Sequence, residues 1–222
     1  MGRSLVFIGF MGAGKSTALA AARDAGLEAI ETDGLIEQKA GMKISELFDE
    51  HGEEAFRALE AEVVCAALES ADGAAVALGG GSVLSEPVRR ALADHVVAWL
   101  QVDATRAWQR ISHSDRPLAG NREGVKDLLA ERLPLYEGLA DAVVPPGDRG
   151  LLVRAMPSLI ALTELPAGTR MLWAASASGE YPVFVGKGLL GAGEGRWWPL
   201  AGRRFCVSDA TVAGRYAETL GP

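Results

Sequence analysis

Cysteine is scarce in this chain. Cys65 and Cys206 are the only two among 222 residues, far apart and outside any C-x-x-C pair. That excludes the common zinc and dithiol redox motifs and points to buried or free thiols in a reducing compartment. No stretch is long and apolar enough to cross a bilayer. The apolar run Leu5 to Phe10 is short and leads straight into a glycine-rich motif. It reads as a buried strand, not a signal peptide, and the cytoplasm is the default location. Positive charge is in deficit, with 22 Lys and Arg against 29 Asp and Glu, a net charge of −7. The balance argues against a nucleic-acid partner, which needs a basic face. Long low-complexity tracts are also absent. What remains is 49% hydrophobic, enough for one full α/β domain and a smaller appendage.

The pattern along the chain alternates strand and helix. Leu5 to Ile8 reads as a central strand covered on both faces, and Lys15 to Asp24 as an alanine-rich helix. A short strand at 27–31 follows, then a helix at 34–39 that Asp33 can cap. The clearest helix is 53–69, where Phe56, Leu59, Val63 and Ala67 recur at helical spacing. Further strands are expected at 74–78, 96–102 and 142–144. Helices are expected at 86–94, 104–111, 125–139 and 150–164, with Pro134 kinking its helix and Pro157 disturbing the last. This alternation predicts a parallel sheet wrapped on both faces, with ligands bound at the strand C-termini. After Pro166-Ala167-Gly168 the chain becomes glycine-rich and strand-like at 171–174, 181–185 and 205–207, with a helix at 211–220. This tail is too short to build its own core.

Gly9-Phe10-Met11-Gly12-Ala13-Gly14-Lys15-Ser16 matches G-x-x-x-x-G-K-[ST] between a predicted strand and helix. Glycines let successive N–H groups turn toward one phosphate, and the helix that follows adds its positive end. Lys15 supplies a charge to the β- and γ-phosphates, and the Ser16 hydroxyl is a Mg²⁺ ligand. The plainer reading is a turn that binds nothing. A kinase for a small alcohol also needs cations for an anionic acceptor, a carboxylate near the attacking hydroxyl and a cationic lid. Asp33, Arg57 with Glu60 at i+3, Gly79-Gly80-Gly81, Arg116 and Arg132 are the candidates. Each has a plain alternative: a helix cap, a solvated ion pair, a tight turn, loop charge and a solvated helix face.

These motifs occur in the order seen in shikimate kinases, and residues 1 to about 162 resemble that family. The resemblance carries Gly9 to Thr17, the Asp33 segment, Phe56-Arg57 with Glu60, Leu78 to Gly81, Arg116-Pro117-Leu118 and Arg132 to Tyr136. It implies a P-loop kinase fold over residues 1–165. It also implies ATP- and Mg²⁺-dependent phosphorylation of the shikimate 3-hydroxyl, in aromatic amino acid biosynthesis. By resemblance, Gly12, Ala13, Gly14, Lys15, Ser16, Thr17, Arg110 and Arg116 hold the nucleotide. Asp33, Arg57, Gly79, Gly80, Gly81 and Arg132 hold shikimate, with the two arginines on its carboxylate. Asp33 orients or deprotonates the hydroxyl, Arg116 closes with the lid, and Lys15, Asp33 and Arg116 form the catalytic set. Two features depart from the family: Glu31 stands where an aspartate usually helps hold Mg²⁺, and the loop Pro145 to Gly150 differs. Rival readings are a kinase of another polyol acid such as gluconate, and a nucleotide-binding module that no longer catalyses.

The tail from 171, with Tyr181 to Gly188 and Arg204 to Val212, is similar to the opening of dehydroquinate synthase. Segment 166–222 is therefore read as a partial, β-rich unit of that kind, the remnant of a bifunctional fusion and a link to other aromatic-pathway enzymes; the plain alternative is a β-rich appendage that packs on the kinase or on another chain. The synthase motifs for nucleotide and metal would lie further on, so no synthase activity is expected.

Overall fold

The computed structural model describes residues 2–112, 121–177, 179–189 and 209–220. Its centre is β1 (Leu5–Ile8), whose four residues are all buried. Alternate side chains serve opposite layers, as strand geometry requires. Leu5 and Phe7 pack with α1 (Lys15–Asp24) and α7 (Arg149–Glu164) on one face. Val6 and Ile8 pack on the other face with α3 (Ile44–Ser70), α4 (Glu86–Ala91), α5 (Ala104–Ile111) and α6 (Arg122–Leu139). A strand buried on both sides reads as a continuous apolar run, and this one does. Small residues Ala18, Ala21 and Ala22 form the buried stripe of α1, which lets that helix lie close to the sheet.

The remaining elements are β2 (Ala29–Glu31), α2 (Thr32–Ala40), β3 (Ala75–Ala77), β4 (Val96–Leu100), β5 (Ala142–Val144), β6 (Arg170–Ser176), β7 (Gly179–Val185) and α8 (Ala210–Leu220). The sheet order is β2-β3-β1-β4-β5-β6-β7. All neighbours are parallel except the β6–β7 hairpin. The order reverses around β1, so a crevice opens at the C-terminal ends of β1 and β3.

Several expectations shift. Helix α2 starts at Thr32, which puts Asp33 inside the first turn and makes Glu31 the residue before the helix, with no side-chain cap bond. The predicted capping role of Asp33 is therefore replaced by a place in the site described below. Helix α3 begins at Ile44, nine residues before the predicted start, and kinks at Gly52 (φ 80°, ψ 172°). Both α6 and α7 run through their prolines, so Pro134 and Pro157 lie inside continuous helices. The predicted strand at 205–207 lies outside the described residues.

The tail borrows the core it cannot build. Strand β6 pairs with β5 through Ala142 and Met171, and the Met171 N–H donates to the Asp141 carbonyl at 2.7 Å. Met171, Trp173 and Phe184 face α7 and join its apolar layer. Arg154 of α7 makes a two-pronged contact with Glu180 of β7 at 2.9 and 3.0 Å. The opposite face of the hairpin carries exposed Leu172, Tyr181, Val183 and Val185. At the far end of α7, the Arg3 guanidinium donates to the carbonyls of Leu162, Thr163 and Leu165. These are carbonyls that a helix leaves without internal donors.

Candidate functional site

The loop after β1 has the backbone its sequence calls for. Gly12 and Gly14 have φ values of 75° and 98°, in the left-handed region that favours glycine. At Gly9, a Cβ would stand 2.5 Å from the Leu100 carbonyl oxygen. The Lys15 ammonium spans the loop, donating to the carbonyls of Gly9 (2.8 Å) and Phe10 (3.1 Å). The loop borders a trench of about 370 Å³ that takes in Gly12 to Thr17, Glu31, Asp33, Gly79 and Gly80. Its far wall is Arg110, Gly147, Asp148, Arg149 and Leu152.

Arg110, in the last turn of α5, donates to the Gly12 carbonyl at 2.6 Å. Asp148 caps α7 by accepting the Leu151 N–H at 3.0 Å, and that bond is the main reason its carboxyl is held below the usual range. Arg149 pairs with Asp24 of α1 at 2.6 Å. The trench is thus walled by the start of α7, the part of the 145–150 loop that sequence left unassigned.

A second cleft, of about 630 Å³, shares Glu31, Asp33, Gly79 and Gly80 with the trench. Arg57, Glu60, Gly81 and Arg132 line it, with Phe48 and Phe56 as its apolar side. The glycines are required here by what stands against them. A Cβ on Gly79 would meet Glu60 Oε1 at 2.6 Å and Asp33 Oδ1 at 3.2 Å. One on Gly81 would meet Arg57 Nη1 at 2.4 Å and Cζ at 2.7 Å. Arg57 is oriented by the buried Glu60, whose Oε2 accepts from Nη1 at 2.6 Å. The other Glu60 oxygen accepts the Ser82 hydroxyl at 2.7 Å, so the carboxylate is fully engaged.

Arg132 is 3% exposed. Its Nη1 reaches the Gly80 carbonyl at 3.3 Å, and its guanidinium lies 5.8 Å from the Phe10 ring centroid. The Nε is buried without a hydrogen-bond partner, and among the described residues no carboxylate pairs with this side chain. A buried guanidinium without a counter-ion is costly, so the Arg132 corner of a cleft that also holds Glu31, Asp33, Glu37 and Glu60 favours an anion. Tyr136 also donates to the Gly80 carbonyl, at 2.6 Å, and burial pushes its phenol up to about 12.

Comparison with known proteins follows the same lines. The family described as Shikimate kinase matches residues 11–151, more than half of the chain. The chain belongs to the shikimate kinase family. Shikimate kinase from Thermobifida fusca is 49% identical over 143 residues, 63% of this chain and 83% of that protein. The Mycobacterium avium enzyme is 41% identical over 171 residues, 74% of this chain and 97% of that one. Among solved structures, shikimate kinase from Acinetobacter baumannii in complex with shikimate superposes with a TM-score of 0.66 at 28% identity. The superposition covers 72% of this chain and 92% of that one. These likenesses establish the P-loop kinase fold for the sheet and its helices.

Within this shikimate kinase frame, the predicted residues Gly12 to Thr17, Glu31, Asp33, Arg57, Gly79 to Gly81, Arg110 and Arg132 all line one or both clefts. Arg116 lies outside the described residues. Sequence reading gave no role to Tyr136, Ser82 or Phe48, although Tyr136 stands one helical turn after Arg132 on the same face.

Proposed function

We propose that this chain transfers the γ-phosphoryl group of ATP to the 3-hydroxyl of shikimate, giving ADP and shikimate 3-phosphate. The observation that carries the reading is the pair of guanidinium groups, Arg57 and the buried Arg132, in a cleft that opens onto the phosphate loop. A planar carboxylate matches a guanidinium in charge and geometry. Held there, a hydroxylated ring acid projects its alcohols toward Asp33, at the border between cleft and trench. Asp33 orients the attacking hydroxyl and takes its proton. Lys15 leaves its loop carbonyls for the β- and γ-phosphates, and Arg110 borders the base. Arg116 is assigned to the closing lid. Phosphoryl transfer passes through a loose transition state, so placement and charge matter more than basicity.

The residues present fit a magnesium ion. Ser16 and Glu31 put a hydroxyl and a carboxylate oxygen side by side in the trench. Mg²⁺ takes hard oxygen donors and needs few from protein, because phosphates and waters supply the rest. When bound, it neutralises charge on the β- and γ-phosphates. Residues 1–165 carry this chemistry in a cytoplasmic enzyme of aromatic amino acid biosynthesis. Segment 166–222 is read as the start of a dehydroquinate-synthase-like unit that brings other pathway enzymes near, supported by its sequence likeness alone.

An ADP-release assay with shikimate, quinate and gluconate tests the reading. Turnover on shikimate is expected. Turnover on gluconate alone overturns the substrate assignment, and ADP binding without turnover on any acceptor overturns the enzyme reading. Arg57→Ala is expected to raise KM for shikimate far more than for ATP.

A further inference from the structure

Ser82 opens the turn Ser82–Leu84 directly after Gly81 and is fully buried. Its hydroxyl donates to Glu60 Oε1 at 2.7 Å. The bare backbone of Gly79 makes room for that contact: a Cβ there would stand 2.6 Å from Glu60 Oε1 and 3.1 Å from Ser82 Oγ. Glu60 is also buried, and its other oxygen accepts from Arg57 Nη1 at 2.6 Å. Serine, glutamate and arginine thus form one chain that runs from a buried turn to the acceptor cleft. Ser82 is its closed end and lines neither cleft.

The contact decides how Glu60 meets Arg57. The last torsion of a glutamate side chain is soft, so a partner must set the plane of its carboxylate. The Ser82 hydroxyl holds Oε1 beside Gly79 and leaves Oε2 for the guanidinium, so the ion pair is single-pronged. Among the described residues, the other hydrogen bonds of Arg57 are long: Nε and Nη2 each reach Oε1 of the exposed Glu53 at 3.3 Å. A two-pronged guanidinium–carboxylate pair is stronger. If Glu60 swung to make one, it would compete with the acceptor's carboxylate for the same guanidinium edge. We propose that Ser82 is a positioning residue for the phosphoryl acceptor: it fixes Glu60 in the one-oxygen contact that keeps Arg57 open to the acceptor's carboxylate. The proposal rests on the reading of Arg57 as a carboxylate ligand.

The test is steady-state kinetics on the whole chain, with shikimate and ATP varied in turn. Alanine is smaller than serine, so the fold tolerates Ser82→Ala. The change is expected to raise KM for shikimate about fivefold. Both kcat and KM for ATP should stay within about twofold, because Ser82, Glu60 and Arg57 all lie off the trench. A double variant separates positioning from plain structural support. If the serine acts through Arg57, Ser82→Ala adds less than about twofold on top of Arg57→Ala. Three results overturn the role of Ser82: a shikimate KM that stays within about twofold of the parent, an equal rise for ATP, or the full effect repeated in the Arg57→Ala background. The parent chain is measured first. Absence of turnover on shikimate there overturns the acceptor reading, and the proposal falls with it. Turnover in the parent followed by any of the three results overturns the role of Ser82 alone.

Discussion

Gly81→Ala separates the acceptor cleft from the nucleotide trench. Gly81 has φ −101° and ψ −8°, a conformation alanine adopts freely. The three atoms nearest to the new methyl group all belong to the end of the Arg57 side chain, with both Cζ and Nη2 at 2.7 Å and Nη1 nearer still. The guanidinium must move, and a flexible side chain moves at low cost. Glu60 then loses its cation but keeps the Ser82 hydroxyl, so stability drops by about 1–3 kcal/mol and the fold survives. Removing one partner of a sheltered charge pair costs about 2–5 kcal/mol. The Arg57 side chain is 22% exposed, which puts the loss near the lower bound. At about 1.4 kcal/mol per tenfold, 2 kcal/mol is roughly a 30-fold rise in KM for shikimate. KM for ATP should stay within about twofold, because Gly81 and Arg57 do not line the trench. Steady-state kinetics with each substrate varied in turn, beside a thermal melt, reads all three quantities. A shikimate KM within twofold of the parent refutes the role of Arg57, and an equal rise for ATP refutes the division of the two clefts.

Tyr136→Phe removes a buried donor from the Gly80 carbonyl, which costs about 1 kcal/mol and lowers Tm by about 2–4 °C; an unchanged melt would contradict the bond. His95 accepts the Ser4 N–H on Nδ1 at 3.3 Å, and burial holds its pKa below the ordinary 6.5. The unfolded chain therefore binds this proton first, and stability is lost as pH falls from 6.5 toward the folded-state value. Melting curves from pH 7.5 to 5 should show a drop that His95→Asn reduces, and parallel curves would count against the assignment. Lys15→Ala should leave the fold intact and abolish ADP release, with activity near the parent level refuting its phosphate role.

Legibility in the sequence followed the range of the interactions. The phosphate loop needs glycines at fixed offsets between a strand and a helix, so its chemistry is local and could be read directly. The Arg57–Glu60 contact is likewise set by helical spacing. Helix α3 was half visible. Its periodicity is clear from Glu53 onward, but Gly52 at positive φ shifts the phase, and residues 44–51 were given no element. Asp33 was read as a cap for a helix from Gly34, and α2 starts two residues earlier, at Thr32, which puts Asp33 inside its first turn. Tyr136 meets Gly80 across 56 residues, and no spacing rule announces such a partner. The parallel pairing of β6 with β5 is also non-local, and it seats on the sheet a hairpin that the tail is too small to support alone.

That pairing has a mechanical side. Because β7 lies antiparallel on β6, a pull on the chain beyond Leu189 peels the outer strand one bond at a time. The same pull reaches β5 only by sliding β6 along it, which loads their bonds together. Glu180 hands part of the strain to Arg154, which lies about one turn from the end of α7 that walls the trench. A load on the hairpin is thus felt within about one helical turn of the trench wall.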